Sequence, residues 1–277
     1  MKNDFLKTKS SLFVIFSILL LGPFLIKNSP RAEESISSFP ALASSEKKLS
    51  IAIKIPILIY HYVGEIRDKK DTVRTGLTVA PYFFEKQMAF LAKNGFTAIT
   101  PGDLAESFYF GKKLPTKPIV ITFDDGYEDF YNNVFPVLKK YNFPAVNFLI
   151  GNAIESQDYL TERQIKEMLK SGLLEIGAHT LSHLNLVLAK EAVMEREIIS
   201  SKRLLEEKFG IPIKYFSYPY GSFNQKIENS VKAAGYQSAV TTTKGVFYEK
   251  NSLYRLPRLR PGNFDDQRFK KLLEEGI

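Results

Sequence analysis

The chain has 277 residues, 44% hydrophobic and 25% charged, with 38 Lys/Arg against 30 Asp/Glu and no cysteine. That balance excludes a disordered chain and a polytopic membrane protein, and the lack of cysteine excludes disulfides, thiolate metal sites and a lipid-modified cysteine. The formal charge of +8 falls to +5 beyond residue 50; it suits an anionic envelope or polymer, or simply a solvated basic surface, and no basic-aromatic motif points to nucleic acid.

Lys2, Lys7 and Lys9 precede an apolar run from Leu12 to Ile26, the layout of a secretory signal. Residues 1–27 are therefore expected to be a signal peptide or an amino-terminal membrane anchor, and the product to be exported: extracellular, periplasmic or attached to the cell surface. No small-x-small site follows Ile26 directly, and Ala41-Leu42-Ala43 lies far downstream. An uncleaved membrane tether through residues 12–26 stays open. Residues 28–50, rich in Ser, Ala, Pro, Glu and Lys without periodicity, read as a flexible linker. Residues 51–277 then form one domain, long enough for a single full core.

Within that domain strands and helices alternate. A strand over Ile55–Tyr60 and a polar loop lead to an amphipathic helix over Pro81–Asn94, with apolar Phe84, Met88 and Leu91 and a stop at Gly95. Next come strand Phe96–Ile99, helix Gly102–Phe110, strand Ile119–Phe123, helix Glu128–Tyr141, strand Ala145–Ile150 and helix Glu162–Lys170. The last has a capping box in Thr161 and Gln164 and a stop at Gly172. Strand Leu173–Ala178 precedes a long helix over Ala189–Phe209, with Glu195, Glu197, Lys202 and Arg203 expected on its solvated side. Strand Tyr215–Tyr218, helix Gln225–Ala234, strand Gln237–Thr241, a short segment Tyr254–Leu256 and helix Asp265–Glu275 complete the chain. About seven β/α units predict an α/β fold with parallel strands, a closed or nearly closed barrel first and an open doubly wound sheet second.

The chemistry-bearing residues cluster at strand ends, where parallel α/β folds build their sites. All three histidines lie there: His61, His179 and His183. In Thr122-Phe123-Asp124-Asp125-Gly126-Tyr127 the adjacent carboxylates point different ways, so they suit two jobs; a polar turn is the plain alternative. In His179-Thr180-Leu181-Ser182-His183 two imidazoles share one side of a compact loop. With one carboxylate they make a facial set for a divalent metal, although capping or surface histidines at this spacing are common. In Ser217-Tyr218-Pro219-Tyr220-Gly221, Pro and Gly fix a turn able to expose the Tyr220 amide as an oxyanion donor, or merely to pack tyrosines.

Taken in order, TFDDGY, HTLSH and YPYG resemble the NodB-type polysaccharide deacetylases, carbohydrate esterase family 4, over about Ile55 to Leu259. The resemblance implies a distorted (β/α)7 barrel, the NodB homology domain. It implies hydrolysis of N-acetyl groups on sugars such as N-acetylglucosamine with a bound divalent metal, zinc first and cobalt, nickel or ferrous iron as alternatives. By the same resemblance Asp124 is the base, Asp125, His179 and His183 hold the metal, and Tyr220 lends its amide. The sequence departs from the family twice. Ser217 stands where many members have an arginine that holds the base, and no histidine follows His183. Pro56-Ile57-Leu58-Ile59-Tyr60-His61 is similar to the branch containing the poly-N-acetylglucosamine deacetylases, in which a tyrosine-histidine after the first strand supplies the acid; His61 is then the acid candidate. For the missing arginine, Arg258 in Tyr254–Arg260 is a candidate partner to Asp124, set against a solvated loop or a polymer-binding strip.

The expected activity is metal-dependent N-deacetylation of an N-acetylated glycan polymer, whether exopolysaccharide, peptidoglycan or chitin-like. With no tryptophan, sugar stacking falls to the 14 Tyr and 22 Phe. Its rival is a non-catalytic glycan-binding envelope protein on the same barrel, motivated by the two departures. A glycosidase is weaker, since its carboxylates must face each other across about 5 Å or more, which sequence neighbours do poorly.

Overall fold

Seven parallel strands carry the domain: β1 (Ile57–Tyr60), β2 (Thr97–Ile99), β3 (Pro118–Asp125), β4 (Ala145–Leu149), β5 (Leu174–Ala178), β6 (Tyr215–Ser217) and β7 (Ser238–Val240). The computed structural model describes residues 53–66 and 68–275; the expected export segment 1–27 and linker 28–50 lie outside them. No helix among the described residues is long and apolar enough to cross a membrane. The strands run in the order β7-β6-β5-β4-β3-β1, and β2 pairs with the first residues of β3, Thr97 opposite Pro118.

The two ends of this curled sheet meet through an irregular segment. Leu256 makes a parallel bridge to Val240 of β7, and Leu259 one to Leu58 of β1. The Thr241 N–H donates to the Leu256 carbonyl and the Ile59 N–H to the Leu259 carbonyl, both at 2.9 Å. The short segment expected at Tyr254–Leu256 is thus the seam of the barrel, extended to Leu259. It carries Arg258 between its two bridges.

Alternation along the strands separates two cores. Ile119, Ile121 and Phe123 of β3 face the surrounding helices with Leu58, Ile176 and Phe216, whereas Val120 packs inside the ring with Ile57, Val146, Phe148 and Val240. Each such buried side chain contributes roughly 1.5–3 kcal/mol of burial. Around the ring lie α1 (Thr72–Leu77), α2 (Pro81–Lys93), α3 (Pro101–Phe110), α4 (Phe135–Tyr141), α5 (Glu162–Lys170), α6 (Glu191–Phe209), α7 (Gln225–Ala233) and α8 (Asp266–Glu275). The capping box of Thr161 and Gln164 is formed, and a second joins Thr100 to Asp103.

Two local differences from the sequence reading have simple causes. The polar loop after β1 contains α1, started by the Asp71 carboxylate accepting from the Arg74 N–H. The helix expected over Glu128–Tyr141 opens as a π-helical turn, Phe130–Val134, before α4. Pro136 has no N–H for the carbonyl four residues back, so the hydrogen-bond register widens there.

Candidate active site

The carboxyl end of β3 splits its two aspartates between opposite neighbourhoods. Asp124 continues the inward series of Val120 and Thr122. Asp125 has φ 77°, and Gly126, at φ 84°, follows in the same left-handed region. The break thus starts one residue earlier than the glycine. A Cβ at Gly126 would lie 2.8 Å from Leu149 Cδ2, the movable end of a side chain, so it is the left-handed conformation that favours glycine there. This reversal swings Asp125 towards the histidine loop and leaves Asp124 facing the ring.

Asp124 is buried and clamped by Arg258 from the seam. The guanidinium gives Nη1 to Oδ1 at 2.8 Å and Nη2 to Oδ2 at 2.7 Å. Its other three N–H groups donate to the Thr241 carbonyl (2.8 Å), Thr122 Oγ1 (3.0 Å) and Ser217 Oγ (3.1 Å). All five donors of this fully enclosed side chain are satisfied, the condition under which a buried ion pair holds. Ser217 adds its own hydroxyl to Asp124 Oδ2 at 3.2 Å. Burial alone would raise the Asp124 pKa, but the charge and hydrogen bonds of Arg258 override it and hold the carboxyl well below the usual carboxylate range. Ser217, before the Pro-Tyr-Gly turn, thus shares Asp124 with an arginine that comes from the seam beside β7.

Asp125, His179 and His183 converge. Their facing atoms lie within 4.8 Å of one another, and Asp125 Oδ1 stands 3.4 Å from Nε2 of each histidine. Asp125 Oδ1 is buried with no hydrogen-bond partner, an arrangement that costs free energy unless something positive sits between the three groups. His179 Nδ1 lies 2.7 Å from the Ser217 carbonyl, which only accepts, so Nδ1 carries a proton and the neutral ring turns its Nε2 lone pair to the cluster; burial lowers the His179 pKa, but Asp125 and Asp124 outweigh it and raise the pKa. One carboxylate oxygen and two imidazole nitrogens on one side, open to the cavity on the other, fit a divalent cation.

The loop carrying the histidines is strained and pinned. Thr180 and His183 have φ of 63° and 58°. The Glu197 carboxylate of α6 accepts from the Leu181 and Ser182 N–H groups, both at 2.9 Å, and from the Ser182 hydroxyl at 2.8 Å. Glu197, expected on the solvated face, is only 5% exposed, and Lys202 is half-buried, bonded to Glu206 and the Ile213 carbonyl; Glu195 and Arg203 are exposed as expected. Position 197 falls three residues after Met194 and four before Ser201, both buried, so the helical period put it on the core face.

His61 and Tyr220 complete the rim. His61 follows β1 and lines a cavity of about 470 Å³ with both aspartates, His179, His183 and Tyr220. Burial pushes its pKa down to about 4 against the pull of Asp124 and Asp125, so it is neutral in the resting protein. Tyr220 has φ 61° and stacks its ring edge-on to His183 at 4.7 Å, with 60% of its surface exposed. The hydrogen bonds of this turn are donated by Gly221 and Ser222, not by Tyr220. A Cβ at Gly221 would meet Thr242 Oγ1 at 2.0 Å, which fixes glycine there and holds the turn against the strand-end loop after β7. Of the seven non-glycine residues with positive φ among those described, three (Asp125, His183 and Tyr220) line this cavity and a fourth, Thr180, lies in the loop between the two histidines, the concentration of strain expected of a functional site.

All seven residues singled out from the sequence therefore fall in one place. Six line the cavity, and Arg258 lies beneath it. Glu197 and Ser217 are the additions.

A parallel βα barrel with a clamped carboxylate beside a His-His-Asp cluster defines an enzyme of the hydrolytic kind. The sequence profile of the polysaccharide deacetylases matches residues 111–239. A Bacillus subtilis protein whose name assigns it to that group is 36% identical over 207 residues, covering 75% of this chain and 71% of its own. The poly-β-1,6-N-acetyl-D-glucosamine N-deacetylase of Staphylococcus aureus strain N315 is 30% identical, covering 92% and 93%. Among solved structures, a Streptococcus pyogenes deacetylase in complex with acetate superposes with a TM-score of 0.74 at 28% identity, covering 81% of this chain and 100% of that one. A Bacillus cereus polysaccharide deacetylase gives 0.70 at 29%, covering 80% and 70%. The chain belongs to the polysaccharide deacetylase family.

Proposed function

We propose that this protein is an exported, metal-dependent enzyme that hydrolyses N-acetyl groups on an N-acetylglucosamine polymer, with a β-1,6-linked exopolysaccharide as first choice of substrate. The observation that carries the metal is the unpartnered, buried Asp125 Oδ1 facing two imidazole nitrogens at 3.4 Å. The polymer rests on the Staphylococcus aureus relative, and export on the apolar run after Lys2, Lys7 and Lys9.

A divalent cation held by Asp125, His179 and His183 would polarise both a water and the acetyl carbonyl. Asp124, kept ionised by Arg258, accepts the proton of that water as its oxygen bonds to the acetyl carbon. The Tyr220 N–H donates to the oxyanion that results. The carbon–nitrogen bond then breaks and the sugar nitrogen needs one proton. His61, neutral at rest, gains that proton within the cavity it shares with Asp124 and delivers it to the nitrogen. Water has been split between acetate and a glucosamine unit, and Asp124 ends as it began.

Against the binding-only alternative stands the two-point contact of Arg258 with Asp124, which gives the carboxylate a cationic partner despite Ser217. Acetate release is measured on β-1,6-linked N-acetylglucosamine oligomers, peptidoglycan strands and chitin oligomers, with metal-stripped and zinc-restored protein. We expect release only after restoration and fastest on the β-1,6 oligomers. Tight glycan binding with no acetate from any of them would establish the alternative instead.

A further inference from the structure

A second cavity, of about 270 Å³, adjoins the candidate active site and shares Thr242 and Arg260 with it as walls. Lys244, Arg260 and Arg268 line it, all three exposed, and none has an ion-pair partner among the described residues. The neighbouring charges do not neutralise them. Arg258 is committed to Asp124, and the Asp265 carboxylate accepts the Arg268 backbone N–H at 2.8 Å at the start of α8 without forming an ion pair with the Arg268 guanidinium. The Arg268 guanidinium lies over the Phe264 ring at 4.0 Å, which restrains its orientation. Although Arg260 is exposed, partial burial and the charge of Arg258 lower its proton affinity against the pull of Asp124. An anion at this point would relieve that repulsion.

We propose that Lys244, Arg260 and Arg268 form a subsite for an anionic group, a carboxylate or a phosphate, carried by the glycan next to the unit being deacetylated. The proposal rests on the glycan-deacetylase reading and sharpens its substrate: the unsubstituted β-1,6 polymer is neutral, so the subsite calls for an N-acetylglucosamine polymer that also bears anionic groups. Because Arg260 and Thr242 wall both cavities, a chain that lies in the first and runs over these residues would reach the second. Three unpaired cations would draw such a chain in and fix its register, by attraction that salt screens.

The test is equilibrium binding to metal-stripped wild-type protein, so that no turnover intervenes. Three N-acetylglucosamine oligomers of equal length are compared: a neutral one, one with carboxylates on alternate units and one with phosphates there. At low ionic strength at least one charged oligomer should bind about tenfold more tightly than the neutral one, and the stronger of the two identifies the anion. The advantage should shrink to below about threefold in about 0.5 M salt. In the double variant Lys244→Gln/Arg268→Gln it should disappear, while neutral-oligomer binding and zinc-restored acetate release stay within about twofold of wild type. Equal binding of all three oligomers, no binding of the charged ones, or an advantage that survives in the double variant would overturn the subsite. Acetate release from the neutral oligomer would then still stand. Charge-selective binding with no acetate from any oligomer would retain the subsite and reject the hydrolase.

Discussion

Asp125, His179 and His183 occupy the ends of β3 and β5, and the loop that bears the histidines is tied to Glu197 only 15 or 16 residues away. Asp124 is completed by Arg258, 134 residues further along and beyond the last strand of the barrel. The first half of the site is thus assembled by local loops whose left-handed residues each cost roughly 1–2 kcal/mol. The second half is assembled by closure of the ring, because Arg258 reaches Asp124 only when Leu256 and Leu259 bridge β7 and β1. Damage to the metal half should therefore stay local, whereas damage to the Asp124 half should reach the stability of the fold.

The largest effect is expected from Arg258→Met. It leaves Asp124 buried without its partner, which costs about 3–5 kcal/mol, read in a denaturant titration. Its pH signature has a definite sign. In the wild type the depressed Asp124 pKa means that the carboxylate contributes stability above the ordinary range of about 3.9, lost only as pH falls through the lower folded value. Without Arg258, burial raises the pKa, so the acid limb of kcat/KM should move up towards neutrality. An unchanged stability and pH profile would dissolve the distinction between the halves.

Glu197→Gln sharpens it from the other side. The pinned loop loses a charge-assisted acceptor, and zinc affinity should fall about 10- to 100-fold with little change in the acid limb. Competition with a zinc-binding dye reads the affinity. A shifted acid limb with unchanged affinity would mean that the loop serves Asp124 instead. The smallest effect belongs to Ser217→Ala, which removes one weak bond to Asp124 while Arg258 keeps two. A loss of about 1 kcal/mol of stability is expected, with turnover reduced by less than about tenfold. A loss as large as that of Arg258→Met would make Ser217, not Arg258, the holder of the base.

The convergence of Asp125, His179 and His183 was legible because these residues sit in contiguous motifs at strand ends, where spacing alone brings two imidazoles to one side of a loop. The parallel barrel was legible because strand and helix periods alternate with capping residues such as Thr161 and Gln164. Arg258 could be nominated but not placed, since a four-residue seam with two single bridges has no periodicity to read. Glu197 was misplaced by its charge, although the spacing from Met194 to Ser201 assigned it inward; a buried acceptor for three donors in a neighbouring loop outweighed the usual preference of a glutamate for water. The neutrality of His61 follows from the depth of the cavity, which no sequence motif encodes.

The division of labour is tested most directly by measuring bound zinc and acetate release together in purified Asp124→Asn and His179→Ala proteins. Asp124→Asn should hold zinc as the wild type does and lose about 10²- to 10⁴-fold in turnover, whereas His179→Ala should lose the zinc itself. Wild-type acetate release from zinc-loaded Asp124→Asn, or equal zinc loss in both variants, would contradict it.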